Sequence, residues 1–202
     1  DKKADAEQLK NACQSGTVTV KQVARRDKSE KPPALYDLTT LQRDANRLLG
    51  FTAQQTLDYL QNLYEKKLCT YPRTDSRYLT SEGLPVLVNL VANAMPFRKG
   101  IAISCDAAAV INDKKVTDHH AVIPTRNIRE ADLSALPVGE RAILELVALR
   151  LLCAVAHPYI YDETSVTVEC AGAEFTAKGR TVKQPGWRAL DAAYRAGLKN
   201  VE

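Results

Sequence analysis

The chain has 202 residues, 45% hydrophobic and 26% charged, an ordinary globular composition that excludes disordered, collagenous and disulfide-stapled classes. Its longest apolar stretches, residues 84–88 and 151–156, fall far short of the ~20 residues that a bilayer span needs, so no membrane partner is expected and a cytoplasmic, nucleoid-associated location is. Five cysteines (Cys13, Cys69, Cys105, Cys153, Cys170) form no CxxC pair, which argues for reduced thiols and against a zinc site. A formal charge of +4 is too small to demand a polyanionic partner, although 28 basic side chains allow local basic surfaces. The chain opens at Asp1 with neither Met nor a signal-like apolar stretch, and so reads as a piece of a longer polypeptide.

In chain order, residues 5–13 favour a helix that Gly16 stops, and residues 17–20 alternate as a strand does. Residues 21–33 carry five basic side chains against Asp27 and Glu30 and end in Pro32-Pro33, the pattern of a linker or domain boundary. From Leu35 the period turns helical. Thr39 or Thr40 can cap a helix carrying Leu41, Ala45, Leu48 and Leu49 on one face, and Gly50 ends it. Thr52 with Gln55 forms a capping box for a second helix, on which Leu57, Leu60 and Tyr64 mark a buried stripe and Lys66 and Lys67 suit the C-terminal end. So close a helix pair resembles a helix-turn-helix, a shape that also serves simple core packing. Thr80 or Ser81 opens another helix with Leu84, Leu87, Val91 and Met95 on one face; residues 101–111 are ambiguous. Ile143, Leu144, Val147, Leu151 and Val155 give a long helix ending near His157-Pro158. Beyond Thr164, Val166, Val168 and Cys170 alternate, Gly172 offers a turn, and Phe175 and Ala177 begin a return strand. These patterns predict an α+β chain in which a mainly helical domain, residues 35–157, is inserted into a strand-rich domain made of residues 1–34 and 158–202.

The chemistry concentrates in Tyr71-Pro72-Arg73-Thr74-Asp75-Ser76 and, further on, in His119-His120-Ala121-Val122-Ile123-Pro124-Thr125. A phenol, with its pKa near ~10, needs nearby positive charge to attack a phosphodiester. Arg73, two residues on in an extended segment, falls on the same side as Tyr71, and its planar fork can take two phosphate oxygens. His119 or His120 can supply a second donor, and Asp75 and Ser76 can orient Arg73 or the phosphate. The same residues also suit a turn, a cap and a pair of loop histidines bonded to backbone.

The hexapeptide at Tyr71 resembles the active-site motif of type IA DNA topoisomerases. Pro33, Leu35-Tyr36, Leu38 and Leu41-Gln42 are similar to that family's lead-in, and residues 119–125 to its His-x-Ala-x-x-Pro-Thr segment. His120 and Ile123 stand where topoisomerase I relatives often carry an acidic residue and an Arg, which brings the chain nearer the topoisomerase III branch. The resemblance implies a helical domain inserted into a strand-rich arch, with Tyr71, Arg73 and His119 catalytic and Asp75, Ser76, His120 and Thr125 contacting DNA. It implies cleavage and religation of one strand through a 5′-phosphotyrosyl intermediate, with another strand passed through the break. It also implies Mg²⁺ bound by a TOPRIM domain with no counterpart in these residues, so the chain alone holds no metal and is expected to be inactive. The expected partners are single-stranded DNA and the remaining domains of the same polypeptide. ATP is not required, because one phosphodiester is exchanged for another, and no GxxxxGK[ST] loop is present. A non-catalytic module binding single-stranded nucleic acid is the alternative. A tyrosine recombinase fits badly, since its nucleophile follows its Arg and His elements.

Overall fold

The computed structural model describes residues 2–80 and 84–199. It falls into two compact units, one built from residues 1–30 and 159–185, the other from residues 31–158 and 186–202. The α+β class and the insertion of a helical unit between the two halves of a strand-rich one are both as the sequence leads one to expect.

The strand-rich unit holds α1 (Lys2–Ser15), β1 (Thr19–Glu30), β2 (Tyr159–Cys170) and β3 (Ala173–Gln184) in an antiparallel sheet of order β1-β2-β3. The hairpin turns at Ala171 and Gly172, both with positive φ, the backbone that matches the twist of two antiparallel strands joined by two residues. Residues 21–30 are not the linker that their charge suggested. They continue β1, with Ala24 opposite Ser165 and Arg26 opposite Glu163. As an edge strand with its side chains exposed, β1 needs no apolar alternation and tolerates charge throughout. Asp27 sits directly opposite Asp162, and Lys183 of β3 pairs with both, offsetting the like charges.

The helical unit comprises α2 (Leu38–Leu49), α3 (Ala53–Glu65), α4 (Leu84–Ala94), α5 (Val138–Ala154) and α6 (Trp187–Lys199). The cap of α2 is Asp37 rather than Thr39 or Thr40; its carboxylate accepts from the Thr40 amide at 2.7 Å, while Thr40 serves as the third residue of the box. Gly50, at φ 72°, ends α2, and the Thr52–Gln55 box opens α3. Of the places at which α4 was expected to open, Ser81 lies outside the described residues; the helix is described from Leu84 and buries Leu84, Leu87 and Val91, with Met95 buried just beyond. Helix α5 is buried almost all round, through Ile143, Leu144, Leu146, Val147 and Leu151, so it forms the centre on which α2, α3, α4 and α6 pack.

Residues 186–199 correct the expected return segment. They do not belong with the strands: Leu190 and Tyr194 of α6 enter the helical core, and the Trp187 amide donates to the His157 carbonyl at 3.0 Å. Gly186 makes that approach possible, since at φ 48° a Cβ there would lie 2.3 Å from the Pro158 carbonyl oxygen.

Candidate active site

An extended segment, residues 68–79, runs through the helical unit and is laced on both sides to the other two motif segments. The Thr70 amide donates to the Ile123 carbonyl at 3.0 Å and the Thr125 amide to the Leu68 carbonyl at 2.9 Å, making a short antiparallel bridge at Cys69 and Pro124. The Ala121 amide reaches the Tyr78 carbonyl, the Val122 amide the Tyr36 carbonyl, and the Leu38 amide the Thr74 carbonyl. Thr70 adds a hydroxyl that donates to the Ala121 carbonyl and accepts from the Ile123 amide. Three stretches far apart in sequence are thus held in register by backbone hydrogen bonds, each of which removes a buried polar group from the unsatisfied state.

Tyr71 is half-buried and lines a cavity of about 600 Å³ together with Tyr64, Lys67, Thr70, Asp118, His119 and others. Its ring meets that of Tyr64 edge-on, with centroids 5.5 Å apart, and lies 4.2 Å from the imidazole of His119 at a 36° tilt. Two neighbouring rings therefore fix the plane of the phenol and so restrict the directions its hydroxyl can face. Tyr64 corrects an expectation: it is 39% exposed rather than part of a buried stripe, and Leu63 takes the core position beside Leu60.

Arg73 is exposed and lines a different cavity, about 530 Å³ in volume, with Asp37, Thr39, Asp75, Thr117, Asp118 and His119. Pro72, Thr74 and Ser76 are buried while Tyr71, Arg73 and Asp75 are the more exposed positions of the segment, and residues 117–119 contribute to both cavities. His119 is common to the two, and its carbonyl accepts from the Thr74 hydroxyl at 3.0 Å. Asp75 is exposed beside Arg73. Ser76 stays apart from this group. It is buried, its hydroxyl donates to the Lys115 carbonyl at 2.8 Å and accepts from the Tyr78 amide, and it braces the turn instead of facing a ligand. His120 lines the Tyr71 cavity, but its Nδ1 donates to the Ala121 carbonyl at 2.8 Å. Thr125 caps a short 3-10 turn and donates its hydroxyl to the Lys67 carbonyl, which also accepts from the Asn127 side chain at 3.2 Å.

Tyr64, Lys67 and Thr117, outside the motif residues, also line the Tyr71 cavity, as does Asp118 at the head of the second motif. Lys67 has φ 60°, a left-handed backbone that costs a residue with a Cβ on the order of 1 kcal/mol and persists only where its surroundings hold it. Its neighbour Lys66 is committed elsewhere, paired with Glu140, a buried carboxylate that also accepts from Asn62.

Behind the lead-in segment lies a second polar cluster. The Tyr36 hydroxyl donates to Asp44 at 2.8 Å; Arg150 of α5 pairs with the same carboxylate, donates to the Tyr36 oxygen at 3.0 Å and stacks 4.1 Å over its ring. Burial pushes the Asp44 carboxyl up, but the hydrogen bonds from Arg47 and Tyr36 and the charges of Arg150 and Arg47 outweigh it, holding it below the usual carboxylate range. Burial raises the Tyr36 phenol well above its ordinary value. This tyrosine is therefore a structural anchor that keeps its proton. Among the described residues no group of three or more His, Cys, Asp or Glu side chains comes together to hold a metal ion, and no helix is long and apolar enough to cross a membrane.

The chain is thus an α+β protein whose helical unit brings the Tyr71 and His119 segments together at one cavity. The profile of the DNA topoisomerase family matches residues 1–200, and the chain belongs to that family, to its type IA, topoisomerase III-like part. It is 41% identical over 191 residues to DNA topoisomerase 3 of Bacillus licheniformis, an alignment covering 91% of this chain and 26% of that protein. It is 42% identical over 193 residues to DNA topoisomerase 3 of Bacillus subtilis, covering 90% of this chain and again 26% of that protein. The chain thus spans about a quarter of the length of these relatives. Full-length topoisomerase I from Thermotoga maritima has the same fold over 92% of this chain and 31% of its own, with a TM-score of 0.69 at 24% identity.

Proposed function

We propose that this chain carries the strand-cleaving tyrosine of a type IA topoisomerase, and that Tyr71 is the nucleophile. The observation that carries the reading is the cavity in which Tyr71 meets the His119 ring at 4.2 Å, because it brings the two motifs into one place with room for a strand. In the proposed step the Tyr71 oxygen bonds to a phosphorus of single-stranded DNA as the bond from that phosphorus to the 3′ oxygen breaks. The phenol proton leaves, the departing 3′ oxygen takes up a proton, and a 5′-phosphotyrosyl link remains. Reversal religates the strand, and while the break is open a second strand passes through it. His119 donates to the phosphate from the Tyr71 side. Arg73, exposed and without a hydrogen-bond partner among the described residues, clamps the phosphate, with Asp75 beside it. His120 and Thr125 shape the wall along which the strand lies.

A Mg²⁺ requirement goes with this family reading, but among the described residues no three His, Cys, Asp or Glu side chains gather to hold the ion. The reading assigns that ion to a TOPRIM domain elsewhere in the polypeptide and predicts that the 202-residue chain alone binds DNA without cutting it. The testing experiment uses the full-length protein and a single-stranded oligonucleotide. Tyr71→Phe removes only the attacking oxygen, so binding should persist while cleavage and relaxation disappear. Residual cleavage by Tyr71→Phe would remove Tyr71 from the role and leave the strand-binding module as the better reading.

A further inference from the structure

We infer that Lys67 supplies a further positive charge in the Tyr71 cavity, where it binds a backbone phosphate of the strand entering it. The inference rests on the reading of Tyr71 given above. Among the described residues lining that cavity, Lys67 is the one lysine or arginine, whereas Arg73 lines a second cavity that shares Thr117, Asp118 and His119 with it. A strand drawn to Tyr71 also meets the exposed carboxylate of Asp118, which a lysine in the same cavity offsets. The adjacent Lys66 cannot serve, since its ammonium is engaged by buried Glu140. Lys67 is exposed, and its ammonium meets no carboxylate among the described residues.

The backbone gives an independent reason. Lys67 occupies the position just after the C-cap of α3, where glycine is the residue that adopts a left-handed conformation without strain. Lysine keeps the strained conformation because its carbonyl is clamped by the Thr125 hydroxyl and the Asn127 amide, both on the motif segment opposite. A strained residue held by its surroundings at the rim of a cavity points to a role for its side chain. Phosphate is the ligand class that an uncommitted ammonium beside a candidate phosphodiester nucleophile fits, and a cavity of about 600 Å³ lies within the ~300–1,000 Å³ range of sites that take a ligand of nucleotide dimensions.

The test measures binding of a single-stranded oligonucleotide as a function of salt, in the full-length protein with Tyr71→Phe so that no cleavage intervenes. Each phosphate contact contributes about 0.7 to the slope of log affinity against log salt for a single strand. Lys67→Gln and Lys67→Gly should each lower the slope by ~0.7, a loss of about fivefold at 0.1 M salt that closes toward 1 M, and Lys67→Arg should keep it. Lys67→Gly should also melt at or above the parent's temperature, because it relieves the left-handed backbone, and so separates lost charge from lost fold. A slope unchanged in Lys67→Gln and Lys67→Gly overturns the inference, as does a loss in Lys67→Arg equal to that in Lys67→Gln. Cleavage that survives Tyr71→Phe overturns the nucleophile reading instead and leaves the slope comparison intact.

Discussion

Tyr71, Arg73 and Asp75 are the more exposed positions of a segment whose alternate residues Pro72, Thr74 and Ser76 are buried, a pattern legible in the sequence. Residues 117–119, which line the cavities of both Tyr71 and Arg73, come from elsewhere in the chain and are invisible to local pattern. Lys67 was hidden for a different reason, since a lysine in a left-handed conformation looks from sequence like an ordinary helix-terminal base. What could be read was the pairing of Tyr71 with His119, because each sits in a motif whose residue types suit phosphate chemistry. If Arg73 clamps the scissile phosphate through two charge-assisted hydrogen bonds, Arg73→Ala in the full-length protein should lose on the order of 10²–10³ in cleavage rate. Arg73→Lys should retain partial activity, because it keeps the charge and loses the fork. Single-turnover cleavage under saturating oligonucleotide reads this directly, and Arg73→Ala cutting at the parent's rate would place Arg73 outside the reacting centre.

At the scale of elements, the site is carried by the packing of α2 on α5. Asp37 caps α2 and lines the Arg73 cavity, while about two turns further on Asp44 fastens α2 to α5 through Arg150. Asp44→Asn keeps the shape but leaves Arg150 without its anionic partner in a mostly buried place, and it should cost about 1–3 kcal/mol of stability. The sign of its pH dependence follows from the depressed Asp44 carboxyl. That stabilisation is fully present above the ordinary carboxylate pKa of ~3.9 and is lost as pH falls through the lower folded-state value. The melting-temperature gap between parent and Asp44→Asn should therefore be widest near neutrality and narrow below about pH 4. A gap that widened on acidification would mean that the carboxylate is not what stabilises the junction. Helix existence was readable here from period and caps. The cap of α2 was misplaced because Thr40, the residue that resembles a cap, is the third member of a box whose first member is Asp37.

For the molecule as a whole, the inserted helical unit follows from a period that changes from two to 3.6 and back, a signal carried by recurring apolar residues such as Leu41 and Ala45 on α2 and Ile143, Val147 and Leu151 on α5. Two parts of the plan escaped that signal. Edge strand β1 carries charge where a half-buried strand would alternate, and α6 returns to the helical core after the chain has already gone through the sheet. Neither bears on the central claim, that Tyr71 is the atom donor for a covalent link to DNA. The most direct measurement is to incubate the full-length protein with Mg²⁺ and a labelled single-stranded oligonucleotide, denature it, and digest the adduct with nuclease and trypsin. Cleavage after Lys67 and Arg73 isolates residues 68–73, and fragmentation should place the nucleotide remnant on Tyr71 through its 5′ phosphate. A remnant on Tyr64, on Tyr78 or on any residue outside this peptide would contradict the account.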